Sequence, residues 1–312
     1  LAINKAVEYI LNGEIIGLPT ETVYGLAGRI DNINSINRIF FVKGRPQDNP
    51  LIVHVSDIDM ANKLIKKPIS GIIKKIANKF WPGPLTIIME KSNLINNVIS
   101  CNLSTVAIRI PNSRSMLDII KKTKIPLAAP SANISGKPSC TSAFHVFDDM
   151  KSKIPFILDD GDCEFGVEST IIKLSQDGRI CILRPGGITF EDLYSIDNNV
   201  YLSDSVLNKT LISECISPGI KYKHYSPSGD VYLINGNNDS FSNFLNNNIN
   251  TSFKNCAIMF NNDNINIQNI DIFYYGNSTD YKFQSKNIFS ILRDIDKKSY
   301  DKIYIRAPKK IG

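Results

Sequence analysis

Short apolar runs rich in β-branched residues recur down the first two hundred positions, and segments with helical spacing separate several of them. The runs fall at 14–18, 51–55, 85–89, 105–110, 127–129, 155–158, 169–174 and 180–183. Several are apolar at consecutive positions, which suits strands covered on both faces. Between them, Ile33, Ile36 and Phe40 share one helical face after the candidate cap Asp31. Ile72, Ile73, Ile76 and Phe80 repeat that spacing, as do Met116, Ile119 and Ile120. The alternation predicts an α/β domain built on one large mixed sheet.

At the N-terminus Ile3, Ala6, Val7, Ile10 and Leu11 recur with Asn4, Lys5 and Glu8 between them. That is an amphipathic helix of the fold, not a signal peptide. The pattern breaks at 203–228. A helix-like segment at 205–215 leads into Ser217-Pro218-Gly219-Ile220-Lys221-Tyr222-Lys223-His224-Tyr225-Ser226-Pro227, whose ends carry turn signals. Beyond it, 230–234, 256–260, 270–275 and 302–305 read as strands, with helices around 241–245 and 289–294. The 312 residues suffice for two domains of about 150 each. The expected division is a first domain over 1–202, a linker over 203–228 and a small α/β domain over 229–312. The chain opens on Leu1, not Met, and stops at Gly312 without a closing helix, so both ends are expected to be cropped.

The net charge of +6 is mild for this length and permits a phosphate-bearing partner without demanding one. No apolar stretch approaches the ~18 residues of a membrane span. The six cysteines contain no Cys-x-x-Cys pair, which disfavours a metal knuckle or disulfide framework and fits reduced thiols in a cytoplasm.

Chemistry concentrates where strands end. Leu18-Pro19-Thr20-Glu21-Thr22-Val23-Tyr24-Gly25-Leu26 turns an apolar strand into small hydroxylated residues. It is either a ligand loop, as gathers at carboxyl ends of strands, or a helix cap by Thr20 or Thr22. Lys43-Gly44-Arg45-Pro46, with Asn49-Pro50-Leu51, places two cations around a glycine. The pair suits a polyphosphate, Arg as a planar fork and Lys as a point charge; the alternative is a solvated basic turn. His54 sits inside an apolar strand, as a ligand contact or a structural histidine. Arg109 also lies within an apolar strand, so it needs an anion: an internal Asp or Glu, or a substrate carboxylate. Ala129-Pro130-Ser131-Ala132-Asn133-Ile134-Ser135-Gly136 offers donors and acceptors among small residues, and Ser139 and Thr141 follow at a helix start. Glu168-Ser169-Thr170 and Leu183-Arg184-Pro185-Gly186 repeat the theme of a polar residue at a strand edge. No Ser-His-Asp order, His-Glu-x-x-His or P-loop occurs.

Taken in order, these motifs and the linker closely resemble the threonylcarbamoyl-AMP synthase family (YrdC-like), in its long, two-domain form. The resemblance implies a YrdC-like curled mixed α/β sheet with helices, then a smaller Rossmann-like α/β domain. It implies condensation of L-threonine, bicarbonate or carbon dioxide, and ATP into threonylcarbamoyl-AMP and pyrophosphate. A separate transferase then carries the group to tRNA. Thr22, His54, Arg109, Ser131 and Ser169 match positions around the amino acid, with Arg109 assigned to its carboxylate. Arg45, Asn49, Thr105, Asn133, Thr141 and Arg184 match nucleotide positions, Lys43 completes the basic loop, and Tyr225 matches a linker contact that would make the linker a lid. The expected mechanism has no protein nucleophile: Lys43, Arg45 and Mg²⁺ offset charge as a carbamate attacks the α-phosphate. Ile220 stands where methionine is common, and Cys140 where proline is. Two other readings are an RNA-binding module of the same fold with weak tRNA contact, and a carbamoyl-transfer domain for another acceptor. Against the first, no basic stripe interleaved with aromatics occurs. Against the second, the resemblance places the linker and tail in the free-standing synthase.

Overall fold

A computed structural model describes residues 1–208, 226–263, 265, 267 and 270–308. The chain divides into two compact units, Leu1–His224 and Tyr225–Gly312. Residues 209–225, with Tyr225 and most of the expected lid, lie outside the described residues.

In the first unit the strands are β1 (Ile16–Leu18), β2 (Gly25–Arg29), β3 (Ile52–His54), β4 (Leu85–Glu90), β5 (Thr105–Arg109), β6 (Leu127–Ala128), β7 (Thr170–Leu174), β8 (Ile180–Arg184) and β9 (Val200–Leu202). Among the described residues they form a nine-stranded sheet in the order β1-β2-β6-β3-β5-β4-β7-β8-β9. The pairs β3/β5, β4/β7 and β8/β9 are parallel and the other neighbours antiparallel, so the sheet is mixed, as expected.

Its central strands are buried on both sides, which explains their unbroken apolar runs. Val53, Ile87, Val106, Ile108, Ile172 and Ile182 join the helical residues Ile36, Ile39, Phe40, Ile73 and Ile76 in the main core. Each such side chain contributes about 1.5–3 kcal/mol on burial. Alternation turns Ile52, Ile88, Ala107 and Ile171 to the opposite face, where they meet Cys181 and Leu183. The same alternation puts Thr105 and Arg109 beside Ala107, and His54 beside Ile52. This second face carries His54, Thr105 and Arg109.

The helix Ile33–Lys43 shows how local sequence serves the site. Asn32 caps it, its side chain accepting from the backbone of Asn34 and Ser35. Asp31, the expected cap, instead holds Arg29 at 2.6 and 2.8 Å. Gly44 ends the helix at φ 60, a left-handed turn that glycine adopts without penalty. The turn leaves Lys43 as the last helical residue, 1% exposed, and starts the basic loop. Ile33, expected on the buried face, is 46% exposed because Ile36, Ile39 and Phe40 fill it.

Other differences have simple causes. β2 escapes an apolar scan because Gly-Leu-Ala-Gly-Arg is too small and mixed; a Cβ on Gly28 would lie 3.0 Å from Ile15 and 3.1 Å from Ile39. The run 155–158 contributes only a bridge from Ile157 to Gly17. The threonines after β1 cap no helix. Thr20 closes a turn, accepting from the backbone of Thr22 and Val23, and the chain then enters β2.

In the second unit β10 (Asp230–Ile234), β11 (Asn255–Met259), β12 (Asp271–Tyr274) and β13 (Lys302–Arg306) form a parallel sheet ordered β10-β13-β11-β12. Helices Asn238–Asn248 and Tyr281–Lys298 supply the crossovers from β10 to β11 and from β12 to β13. Phe241 and Leu245 pack on Ala257, Met259 and Tyr304. No described helix is long and apolar enough to cross a membrane.

Candidate active site

Lys43 reaches across to the 129–136 loop, where its Nζ donates to the carbonyls of Ser131 and Asn133. The Lys43 carbonyl in turn accepts from Ser135 N at 2.9 Å. The basic loop and the Ser-Ala-Asn loop are therefore one assembly, though 88 and 90 residues separate the bonded partners. Burial, reinforced by the neighbouring Arg45, pulls the Lys43 ammonium down to about 7; Cys140, Asp149 and Glu168 oppose that shift.

Arg45 is half-buried, so it is not the solvated turn residue of the alternative reading. Its Nε donates to Asn49 O at 3.0 Å, and its Nη2 to Asn49 Oδ1 at 2.7 Å and Pro50 O at 2.8 Å. Pro50, Leu51 and Thr105 line one small crevice, which brings the start of β5 to this loop. Asn133 is 5% exposed; its amide nitrogen is held by the carbonyls of Ile134 and Lys137, both at 2.8 Å. Thr141, 5% exposed, lies 3.3 Å from His145 Nδ1.

A second assembly forms on the sheet face. Arg109, 3% exposed, donates from Nη1 to Thr22 Oγ1 at 2.9 Å and from Nε to Gly83 O at 3.1 Å. Glu21 Oε1 lies 2.7 Å from Nη2. Arg109 therefore has the internal acid that its strand position demanded. Sequence reasoning stated the need for an anion but did not single out Glu21. The signal was present, a carboxylate embedded in a run of small and apolar residues.

His54 stands opposite Arg109 in the parallel β3/β5 register and is 2% exposed. Burial, then the Arg109 charge, drives its imidazole down to about 3, so it is neutral at ordinary pH. The unfolded chain takes up its proton near 6.5 and the folded chain only near 3. Stability is therefore lost as pH falls through that window. The loss should amount to roughly 3–5 kcal/mol at about 1.4 kcal/mol per unit. Urea unfolding at pH 7 and pH 4 should show it, and a His54→Gln variant should lose much less over the same interval. Equal acid losses in both proteins would remove His54 as the cause.

Ser169 and Arg184 form a third group. Arg184 grips the Ser169 carbonyl from Nε at 3.1 Å and Nη2 at 2.9 Å, and Nη2 also reaches Ser169 Oγ at 3.2 Å. Ser169 Oγ lies 2.7 Å from Thr86 Oγ1. The Thr170 hydroxyl, by contrast, is spent on the Ile188 backbone, donating at 2.5 Å and accepting at 2.9 Å. Gly186 makes this packing possible, since a Cβ there would sit 2.2 Å from Glu168 O and 2.6 Å from Thr170 N. Gly186→Ala should cost roughly 1–3 kcal/mol as the loop is pushed off Ser169. A melting temperature equal to wild type would show the contact to be yielding.

The structure thus brings Lys43, Ser131 and Asn133 together, Arg45 with Asn49 and Pro50, Pro50 with Thr105, Arg109 with Thr22 and, across the strand pair, with His54, and Ser169 with Arg184. Thr141 sits with His145. Sequence reasoning singled out neither Glu21 nor Thr86; Ser139, read only as lying at a helix start, donates from its hydroxyl to Glu168 Oε1.

Known proteins resemble the chain along its whole length. The Sua5–YciO–YrdC family model, whose description reads Telomere recombination, matches residues 8–186. The model of the threonylcarbamoyl-AMP synthase C-terminal domain matches residues 188–312. The chain is 37% identical to the threonylcarbamoyl-AMP synthase of Pyrococcus abyssi, over 99% of this chain and 90% of that one. It is 39% identical to the Bacillus subtilis protein of the same name, over 75% and 67%. The crystal structure of P. abyssi Sua5 complexed with L-threonine superposes with a TM-score of 0.90 at 34% identity, covering 99% of this chain and 90% of that one. With both family models matched in order along its length, the chain belongs to the threonylcarbamoyl-AMP synthase family, in the form that carries the additional C-terminal domain.

Proposed function

We propose that the protein condenses L-threonine, bicarbonate or carbon dioxide, and ATP into threonylcarbamoyl-AMP with release of pyrophosphate. The observation that carries this reading is the full-length similarity to a relative crystallised with L-threonine. The product would pass to a separate transferase that modifies tRNA. A cytoplasmic setting suits these substrates and the free thiols of Cys163, Cys181 and Cys256.

Threonine presents a carboxylate, an amine and a hydroxyl. Arg109 supplies the guanidinium for the carboxylate, and Thr22, His54, Ser131 and Ser169 surround the rest. Neutral His54 adds no positive charge that would repel the ammonium. Arg45, Asn49, Thr105, Asn133, Thr141 and Arg184 take the nucleotide, and Tyr225 with its linker would close over it, excluding water from a hydrolysable adenylate. The amine captures carbon dioxide, and the carbamate oxygen attacks the α-phosphate in line as pyrophosphate leaves. Lys43 and Arg45 offset the charge that grows on the phosphate oxygens, so positioning and electrostatics do the work without a protein nucleophile.

Mg²⁺ enters as the partner of ATP. It binds through phosphate oxygens and water with few carboxylates. No group of three His, Cys, Asp or Glu side chains suited to a metal occurs among the described residues, so its ligands would come chiefly from the substrate.

Incubation with ATP, bicarbonate and labelled L-threonine should yield pyrophosphate and labelled threonylcarbamoyl-AMP in equal amounts. Pyrophosphate release that ignores threonine, or none, would reject the reading. Retention of tRNA without turnover would favour the RNA-binding module instead.

A further inference from the structure

Glu21 has no role in the reaction as set out above. Its surroundings point to one. The carboxylate is 6% exposed and faces Arg109, the guanidinium expected to bind the amino acid's carboxylate. The 2.7 Å contact is ionic only: among the described residues neither Glu21 oxygen receives a well-directed hydrogen bond, and Nη2 of Arg109 donates none. Across the strand pair, His54 Nδ1 is also buried without a hydrogen-bond partner. Buried polar atoms are nearly always satisfied. Four buried atoms without a well-directed hydrogen bond, on three neighbouring residues, mark a place where a further polar group fits. They comprise one cationic donor, two anionic acceptors and one imidazole nitrogen. A zwitterion with an extra hydroxyl answers all three kinds of group.

We propose that Glu21 is a specificity-determining residue that reads the α-ammonium of the amino acid, by exchange of ion pairs. Without ligand, Glu21 neutralises Arg109, which alone in a buried site would be strongly destabilising. With ligand, the α-carboxylate takes Nη2 of Arg109 and the freed Glu21 carboxylate pairs with the α-ammonium. Two buried ion pairs replace one and no net charge is added. A hydroxy acid cannot make this exchange: its carboxylate must compete with Glu21 for Arg109 and returns nothing to Glu21. The enclosure therefore selects amino acids over the corresponding hydroxy acids. The inference rests on the reading of Arg109 as the carboxylate-binding residue.

The test compares L-threonine with 2,3-dihydroxybutanoate, the same skeleton with hydroxyl in place of ammonium, by calorimetry on the full chain with ATP present. Wild type should prefer threonine by at least tenfold. Glu21→Gln should lose at least tenfold in threonine affinity and gain affinity for the hydroxy acid, because Arg109 is no longer occupied. A purely structural role for Glu21 would weaken both ligands together, and that result overturns the proposal. So does unchanged threonine binding, or a hydroxy acid that Glu21→Gln still fails to bind. Should Glu21→Gln not fold, Glu21→Asp keeps the charge but withdraws it by one methylene. It should then lose threonine affinity while still rejecting the hydroxy acid; equal affinity of Glu21→Asp for both ligands, or threonine binding at the wild-type level, overturns the proposal as well. Failure of wild type to bind threonine at all would instead reject the proposed function.

Discussion

Lys43→Met is expected to lower threonine-dependent pyrophosphate release by at least ~10²–10³-fold, the usual cost of removing one preorganised group that stabilises developing charge. The variant keeps the length and most of the apolar volume of the side chain, so the helix Ile33–Lys43 and its turn at Gly44 should persist. What disappears is a cation held between the carbonyls of Ser131 and Asn133, at the meeting of the basic loop and the Ser-Ala-Asn loop. In the free protein its ammonium is poised near 7 by burial and by Arg45. A triphosphate beside it would favour the charged form, so binding ATP should draw a proton onto Lys43. Stability carries a second signature. The unfolded chain holds this proton up to about 10.5 and the folded chain only to about 7, so wild-type stability should rise as pH increases between those values. Lys43→Met should flatten that rise in urea titrations. Pyrophosphate release at the wild-type rate would remove Lys43 from the mechanism, and an unflattened profile would show that its amine is not the buried group responsible.

Arg109→Ala should have the other large effect, on folding and on binding together. It leaves the Glu21 carboxylate, 3% exposed at its side chain, facing no opposite charge. Breaking a buried pair in this way costs about 3–5 kcal/mol. Threonine affinity should fall at least tenfold while ATP affinity stays within about twofold. The two consequences can be separated. A double replacement, Arg109→Met with Glu21→Leu, removes both charges and should recover most of the stability, yet still fail to bind threonine. Equal loss of threonine and ATP in a folded Arg109→Ala protein would contradict the carboxylate assignment.

The division between what could be read and what could not follows the range of each interaction. Apolar periodicity is local, so the long strands β4, β5, β7 and β8 and the helix Arg114–Thr123 were legible from spacing. Met116, Ile119 and Ile120 are among its buried residues, as the pattern required, and Ser113 caps it. Small-residue strands such as β2 were not legible, because their place is set by what packs against Gly28 and not by their own apolarity. The cap on the helix at 33 was misassigned by one residue: Asp31 and Asn32 are both good caps, and only the competition of Arg29 for Asp31 decides between them.

The site shows the same division. The ordered motifs, matched as a set, were sufficient to place the family and to nominate Lys43, Arg45, His54, Arg109, Asn133 and Arg184. The sequence also required an anion for Arg109, since an arginine in an apolar strand cannot stay unpaired. It could not say that Glu21 is that anion, that Lys43 would be the most buried of the cations, or that Ser169 and not Thr170 keeps its hydroxyl beside Arg184. Those facts depend on side chains far apart along the chain meeting where the sheet and its loops come together. Burial and charge at those meeting points fix proton affinities and pairing, and neither exists until the fold has closed around them.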